Sequence, residues 1–300
     1  MLSSVLALLL GACSQDKQND VKESHGMKIV TSFYPVYSMV KAVSGDLNDV
    51  RMIQPSSGIH SYEPSANDIA AIYDADVFVY HSHTLESWAG SLDPSLQKSK
   101  VKVLEASEGM TLDRVSGLED IEVGKGVDEK SLYDPHTWLD PEKVAEEAQI
   151  IADKLSELDS ENKEIYQSNA KKFIDQAHEL TNKYKPIFDK VEQRTFVTQH
   201  TAFSYLAKRF DLNQLGIAGI SPDQEPSPRQ LTEIQEFVKT YKVKTIFTES
   251  NASSKVAETL IKSTGVSLKT LNPLESDPQN DKSYLDNLEE DIAILAEELK

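Results

Sequence analysis

One cysteine, Cys13, is all the thiol chemistry that these 300 residues contain. Without a second cysteine no internal disulfide forms, and a metal cluster built on several thiolates is excluded. No G-x-x-x-x-G-K-[ST] segment occurs, so the chain has no phosphate-binding loop of its own for nucleotide hydrolysis. No H-E-x-x-H segment occurs either, which removes the commonest helical signature of a zinc hydrolase. Basic residues are scarce: 31 Lys and Arg stand against 49 Asp and Glu, a net charge of −18. That balance repels phosphate backbones and anionic membranes and draws in cations, so nucleic acid is not an expected partner, although much of the charge simply keeps the chain soluble. What remains, 39% hydrophobic and 27% charged residues, is enough to bury a core, and the length suits two lobes rather than a disordered chain.

The N-terminus is read as a leader. Leu2–Leu10 form a short apolar run that ends in Leu10-Gly11-Ala12-Cys13, the pattern of a signal-peptide core followed by small residues. The run is well below the roughly 20 residues that cross a bilayer as a helix. Cys13 stands where it resembles a bacterial lipobox cysteine, the site of lipidation, with residues 1–12 as signal peptide. Met1-Leu2-Ser3-Ser4 carry no Lys or Arg, which places the expected translation start upstream. Residues 13–26 are polar and aperiodic and read as a flexible tether, with His25 part of it.

From Met27 onward, short β-branched runs alternate with helical patterns. KIVTSF, VRMI, VFVY and KVKVL are expected strands, separated by helices at 35–44, 65–73 and 85–92. A second series, TFVTQ, NQLGIA, KTIFTES and VSLKTL, is separated by helices at 202–210, 228–241 and 254–264 and closed by one at 283–299. The fold class is therefore α/β: two lobes, 27–140 and 188–300, each with a mainly parallel sheet flanked by helices. Between them, residues 141–187 begin at Asp140-Pro141, a cap followed by a first-turn proline, and stop near Pro186. They are expected to form one long, rigid helix, or a briefly interrupted one, with solvated charged faces and His178 on its surface.

Three histidines lie in loops where open α/β sheets bind ligands. His60 follows Ser57-Gly58-Ile59 and precedes a Pro-Ser helix start; His136 sits in Asp134-Pro135-His136-Thr137-Trp138-Leu139-Asp140-Pro141; His200 follows the strand TFVTQ. The two Asp-Pro pairs and Trp138 hold His136 rigidly. Taken singly, each could equally be a capping or core histidine. Separations of 76 and 64 residues match no local zinc-finger spacing, so a metal site requires the fold to bring them together. His81 and His83, two apart at the end of VFVY, are expected to point the same way, towards the cleft mouth, as zinc collectors, surface residues or hydrogen-bonding neighbours of the ligands, with direct coordination the alternative.

The blocks HSYEPSANDIA, DPHTWLDP, QHTAFSYLAKRFDL, GISPDQEPSP and FTESNAS, in this order, resemble the cluster 9 (cluster A-I) metal-binding proteins of ABC transporters. Within that family the chain is similar to streptococcal zinc-binding lipoproteins also described as laminin-binding proteins. The resemblance implies His60, His136 and His200 as ligands and an acid in Leu271-Asn272-Pro273-Leu274-Glu275-Ser276-Asp277 as the fourth. Glu275 is the choice, with Asp277 a substitute and Glu249 the alternative, the last more suited to fixing the loop. Three imidazoles and one carboxylate suit a single tetrahedral Zn²⁺ better than manganese, while copper(II) is kept out by geometry and availability. Asp134, Asp140 or backbone carbonyls are candidates to hold the imidazole N–H groups. The stretch Asp113–Asp134 contains no histidine, so scavenging by a histidine-rich loop is not expected.

The function implied is a non-enzymatic zinc-binding protein, anchored by lipid on the extracellular face of the cell membrane. It is expected to be monomeric and to deliver zinc to an ABC permease and its ATPase. Laminin adhesion is the alternative or additional role that the relatives imply. A zinc hydrolase, with Glu249 as base, would need an open coordination position.

Overall fold

The structure, a computed structural model, describes residues 26–55, 58–115, 132–223, 227–249 and 255–300. The leader, Cys13, the tether with His25 and most of the Asp113–Asp134 stretch lie outside the described residues. No helix among the described residues is long and apolar enough to cross a membrane.

The first sheet contains β1 (Lys28–Thr31), β2 (Asp49–Met52), β3 (Val77–Tyr80) and β4 (Lys102–Glu105), all parallel, in the order β2-β1-β3-β4. Helices α1 (Tyr34–Ser44), α2 (Ala66–Asp74) and α3 (Ser87–Leu96) connect them. Alternation along β3 sends Val77 and Val79 into one apolar cluster and Phe78 and Tyr80 into another, so the strand is buried on both faces. α2 starts at a capping box in which Ser65 and Asp68 satisfy each other's backbone N–H groups.

The second sheet repeats the plan: β5 (Thr195–Thr198), β6 (Asn213–Gly216), β7 (Thr245–Glu249) and β8 (Ser267–Leu271), parallel, in the order β6-β5-β7-β8. Helices α6 (Ser204–Arg209), α7 (Pro228–Thr240), α8 (Lys255–Thr264) and α9 (Tyr284–Glu298) complete it. α6 starts two residues later than the sequence suggested, because His200 to Phe203 form the turn that follows β5.

The stretch after Asp140 is interrupted. Asp140 caps α4 (Pro141–Leu158) by accepting from the backbone N–H of Glu142 at 3.1 Å. At Asp159–Asn162 the chain reverses and continues as α5 (Lys163–Phe188). Gln149 Nε2 meets Gln167 Oε1 at 3.0 Å and His178 Nδ1 meets Glu142 Oε2 at 2.8 Å, a pairing that only antiparallel helices allow. The link between the lobes is thus α5, whose 26 residues span about 39 Å. Near its start Tyr166 and Asn169 bond to Asn48 and the Val43 carbonyl of the first lobe; near its end Tyr184 donates to Glu289 on α9. α5 runs through Pro186 to Phe188, two residues beyond the proline, which has no N–H to give to the ladder. His178 is half-exposed, as its position on the sequence pattern suggested.

The largest apolar cluster joins both lobes and the helical pair: Phe33, Trp138, Tyr184, Phe188, Phe210, Leu274 and Leu288 all belong to it. The expectation that the charged faces of 141–187 are solvated fails at one residue. Glu147 lies one turn from Val144 on the apolar stripe of α4 and is completely buried.

Candidate metal centre

Each candidate side chain enters from the carboxyl end of a strand or from the segment before α4. His60 follows β2, His200 follows β5 and Glu275 follows β8, so the two sheets face each other across the site. In the second sheet, β5 and β7 flank the point where the connection changes side, the position at which such sheets open a crevice. Gly216, the last residue of β6, lets the His200 loop approach closely: a Cβ there would lie 2.2 Å from Thr201 Oγ1. Leu274 is fully buried in the left-handed region, φ 54°, a conformation that costs a non-glycine residue about 1–2 kcal/mol and sets the chain direction immediately before Glu275.

Among the described residues, one group of histidine and acidic side chains could hold a metal ion: His60, His136, His200 and Glu275, with one donor atom from each within 4.8 Å of the others. Glu275 Oε1 lies 3.1 Å from His60 Nε2, 3.3 Å from His200 Nε2 and 3.8 Å from His136 Nε2. His136 Nε2 lies 3.3 Å from His60 Nε2 and 3.4 Å from His200 Nε2. A tetrahedron whose centre-to-ligand bonds are about 2.0–2.1 Å has edges of about 3.3 Å, and four of these five separations lie within about 0.2 Å of that.

The opposite ring nitrogens fix the tautomers. Asp134 Oδ1 accepts from both the backbone N–H and Nδ1 of His136, at 3.0 and 2.7 Å. Glu249 Oε1 accepts from the backbone N–H and Nδ1 of His200, at 3.1 and 2.5 Å. With the proton on Nδ1, each Nε2 lone pair is left facing the centre. His60 has no such carboxylate on Nδ1 among the described residues.

The charges follow. Burial opposes a charged His200, but hydrogen bonds with Glu249 and Glu275 outweigh it and hold its pKa at about 9. Glu275 is also buried, yet hydrogen bonds from His200 and His60 keep its carboxyl well below the ordinary range. Burial pushes His136 down, against the pull of Asp134. Glu275 and a protonated His200 therefore neutralise each other.

The other candidates lie apart from the four donors. Glu249 supports His200 from behind, and Asp277 accepts from the backbone N–H of Gln279 at 2.8 Å. Asp140 pairs with Arg209 through Nε and an Nη nitrogen at 2.9 and 2.8 Å, so only Asp134 of the two aspartates braces a histidine. His81 and His83 do not point the same way. β3 ends at Tyr80, and the turn that follows breaks the period of two. His81 is fully buried with its ring edge-on to Trp138, and His83 is half-exposed and pairs with Glu105 at 2.7 Å. Sequence reasoning missed Ser204, Tyr205 and Glu147, which hold the His136 segment. The available signal was Glu147 itself, an acid on an apolar helical stripe.

Known proteins bear the same arrangement of lobes. A Zn(II)-bound mutant variant of AdcAII from Streptococcus pneumoniae is 82% identical, covers 92% of this chain and 99% of its own, and superposes with a TM-score of 0.87. The laminin-binding protein Lmb of Streptococcus agalactiae is described as bifunctional, with adhesin and metal transporting activity. It is 59% identical over 92% of this chain and 100% of its own, with a TM-score of 0.85. The zinc-binding lipoprotein AdcA of Streptococcus pneumoniae R6 is 40% identical over 304 residues covering 100% of this chain, which spans 59% of that relative's length. The family model for the periplasmic zinc-uptake complex component A, ZnuA, matches residues 29–298, and the chain belongs to that family.

Proposed function

We propose that the chain captures one Zn²⁺ between its lobes with the Nε2 atoms of His60, His136 and His200 and a carboxylate oxygen of Glu275, and delivers it to an ABC permease for uptake. The observation that carries this reading is the donor geometry, in which five of the six donor–donor separations are 3.1–3.8 Å and all lie within 4.8 Å. Three neutral imidazoles with one carboxylate favour zinc over manganese, which prefers more and harder oxygen ligands. Asp134 and Glu249, behind two of the imidazoles, make those ligands more basic and hold them in place. Because side chains occupy all four corners, no position is left for a water to be activated, and the chain binds without turning over a substrate.

In the same reading Cys13 carries the lipid, residues 14–26 form the tether and the body stands as a monomer on the outer face of the membrane. Its lobes are 27–140 and 188–300, joined through 141–187. The permease and its ATPase supply the energy. Laminin adhesion is a second role supported by the likeness to Lmb.

Metal analysis of the purified chain by mass spectrometry, beside His200→Ala and Glu275→Ala, tests the proposal. One zinc per chain, weakened in both variants, is the expected result. Bound manganese, or no retained metal, contradicts it.

A further inference from the structure

Behind His136 lies a buried polar chain that the four donors do not use. His81 Nε2 is 2.8 Å from the Pro135 carbonyl oxygen, an atom that only accepts, so Nε2 carries the proton and Nδ1 is a bare acceptor. That Nδ1 faces Oε2 of Glu147 at 3.7 Å, and both atoms are buried without a hydrogen-bond partner. The other oxygen of Glu147 accepts from Thr137 Oγ1 at 2.5 Å, and the same hydroxyl lies 3.1 Å from His81 Nε2. Pro135 and Thr137 are the residues on either side of His136. Glu86, also buried, accepts from the backbone N–H groups of His81 and Ser82 at 3.1 and 2.8 Å and fixes the strand end that carries the imidazole.

We propose that Glu147 and His81 are positioning residues for His136, together holding the residues on both sides of it, the Pro135 carbonyl and the Thr137 hydroxyl, and setting its imidazole before the metal arrives. The inference rests on the reading of His136 as a ligand. Its chemistry is that of a neutral acid opposite a bare ring nitrogen: an O–H on Oε2 faces His81 Nδ1 across 3.7 Å, whereas an ionised Glu147 would leave two acceptors face to face. Burial, which pushes Glu147 up to about 8, favours the neutral form. A buried acid that only filled space would not place one oxygen on the hydroxyl after His136 and the other opposite the imidazole that holds the carbonyl before it.

The test uses the whole chain and two readouts: zinc affinity by chelator competition, and the ring ¹⁵N signals of His136 in metal-free, histidine-labelled protein. Glu147→Ala is expected to weaken zinc at least about tenfold and to move the His136 signals, as removal of a bracing group behind a ligand does. Glu147→Gln, whose amide offers an N–H to His81 and a carbonyl to Thr137, is expected to recover binding to within about threefold of the unaltered chain. Val144→Ala, a cavity on the same face of α4, controls for lost stability and should leave both readouts in place. Should Glu147→Ala not fold, Thr137→Val removes the hydroxyl at the same shape and should move the same signals. The proposal is overturned if Glu147→Ala or Thr137→Val leaves the His136 signals and zinc affinity unmoved, or if Val144→Ala reproduces the loss. A chain that takes up no zinc would defeat the ligand assignment instead, and the His136 signals would still decide whether Glu147 positions that ring.

Discussion

His136 reaches the centre from a segment gripped by the second lobe, whereas His60 comes from a loop at the rim. Trp138 Nε1 donates to the Pro273 carbonyl at 2.8 Å, Tyr205 donates to the Asp134 carbonyl at 2.9 Å, and Tyr284 donates to the Trp138 carbonyl. Ser204 bonds to Asp134, and Arg209 makes two hydrogen bonds to Asp140. The His60 loop meets the second lobe through Ser61 and Asp223 and through His60 and Glu275 themselves. Gly58 beside it is in the left-handed region with open space where a Cβ would be. On the proposed ligand set, His136, His200 and Glu275 are therefore the more firmly anchored donors and His60 the least anchored, which on the proposed role makes His60 the donor expected to leave first.

The contrast is broken most severely at the ligands. His136→Ala should weaken zinc by more than the roughly 10–100-fold that loss of a bracing group costs, and His60→Ala should lose distinctly less; titration against a chelator ranks them. Equal losses would erase the distinction between the more firmly anchored donors and His60. Asp134→Asn and Glu249→Gln come next, at about 10–100-fold each, with the ions still bound at one per chain.

Proton competition sharpens the comparison further. His200 is held at about 9 in the metal-free form, so at pH 7 it carries a proton that zinc must expel. Affinity should therefore fall by about tenfold for each pH unit below that value, and more steeply once further ligands protonate. Calorimetry in buffers of different ionisation enthalpy counts the protons released; no release at pH 7 would contradict a protonated His200.

A smaller effect lies in the stability of the metal-free chain. Burial raises Glu147 from an ordinary 4.5 to about 8, so the folded state keeps a proton that the unfolded chain loses. This group's contribution is present at low pH and is lost as pH rises through the folded value. The Tm of Glu147→Gln should fall less than that of the unaltered chain between pH 5 and 9, and parallel curves would refute the assignment. Smallest is Ser61→Ala, which removes one exposed hydrogen bond across the rim, worth about 1 kcal/mol or less, and is expected to speed zinc dissociation with little change in Tm.

The sheets were legible because short apolar runs, the central ones (β3, β5 and β7) buried throughout, alternate with helical patterns; Ser65 and Asp140 mark their helix starts directly. His60, His136 and His200 announced themselves as loop histidines, but they are 76 and 64 residues apart in sequence, and their convergence across two sheets became an expectation only through the family resemblance. The reversal at Asp159–Asn162 was not legible, since the apolar periodicity of α4 and α5 continues on either side of it. Nor was the parting of His81 from His83, because a turn removes the regular spacing on which a direction could be read. Glu147 was read with the solvated acids although it stands on the apolar stripe of α4, and tertiary packing shows the contacts that give it a role.

The most direct test of zinc held by these four donors is X-ray absorption at the zinc edge of the loaded chain. The expected spectrum is four-coordinate, with three imidazole nitrogens and one carboxylate oxygen at about 2.0–2.1 Å. Five or six light ligands, or fewer than three imidazoles, would contradict it.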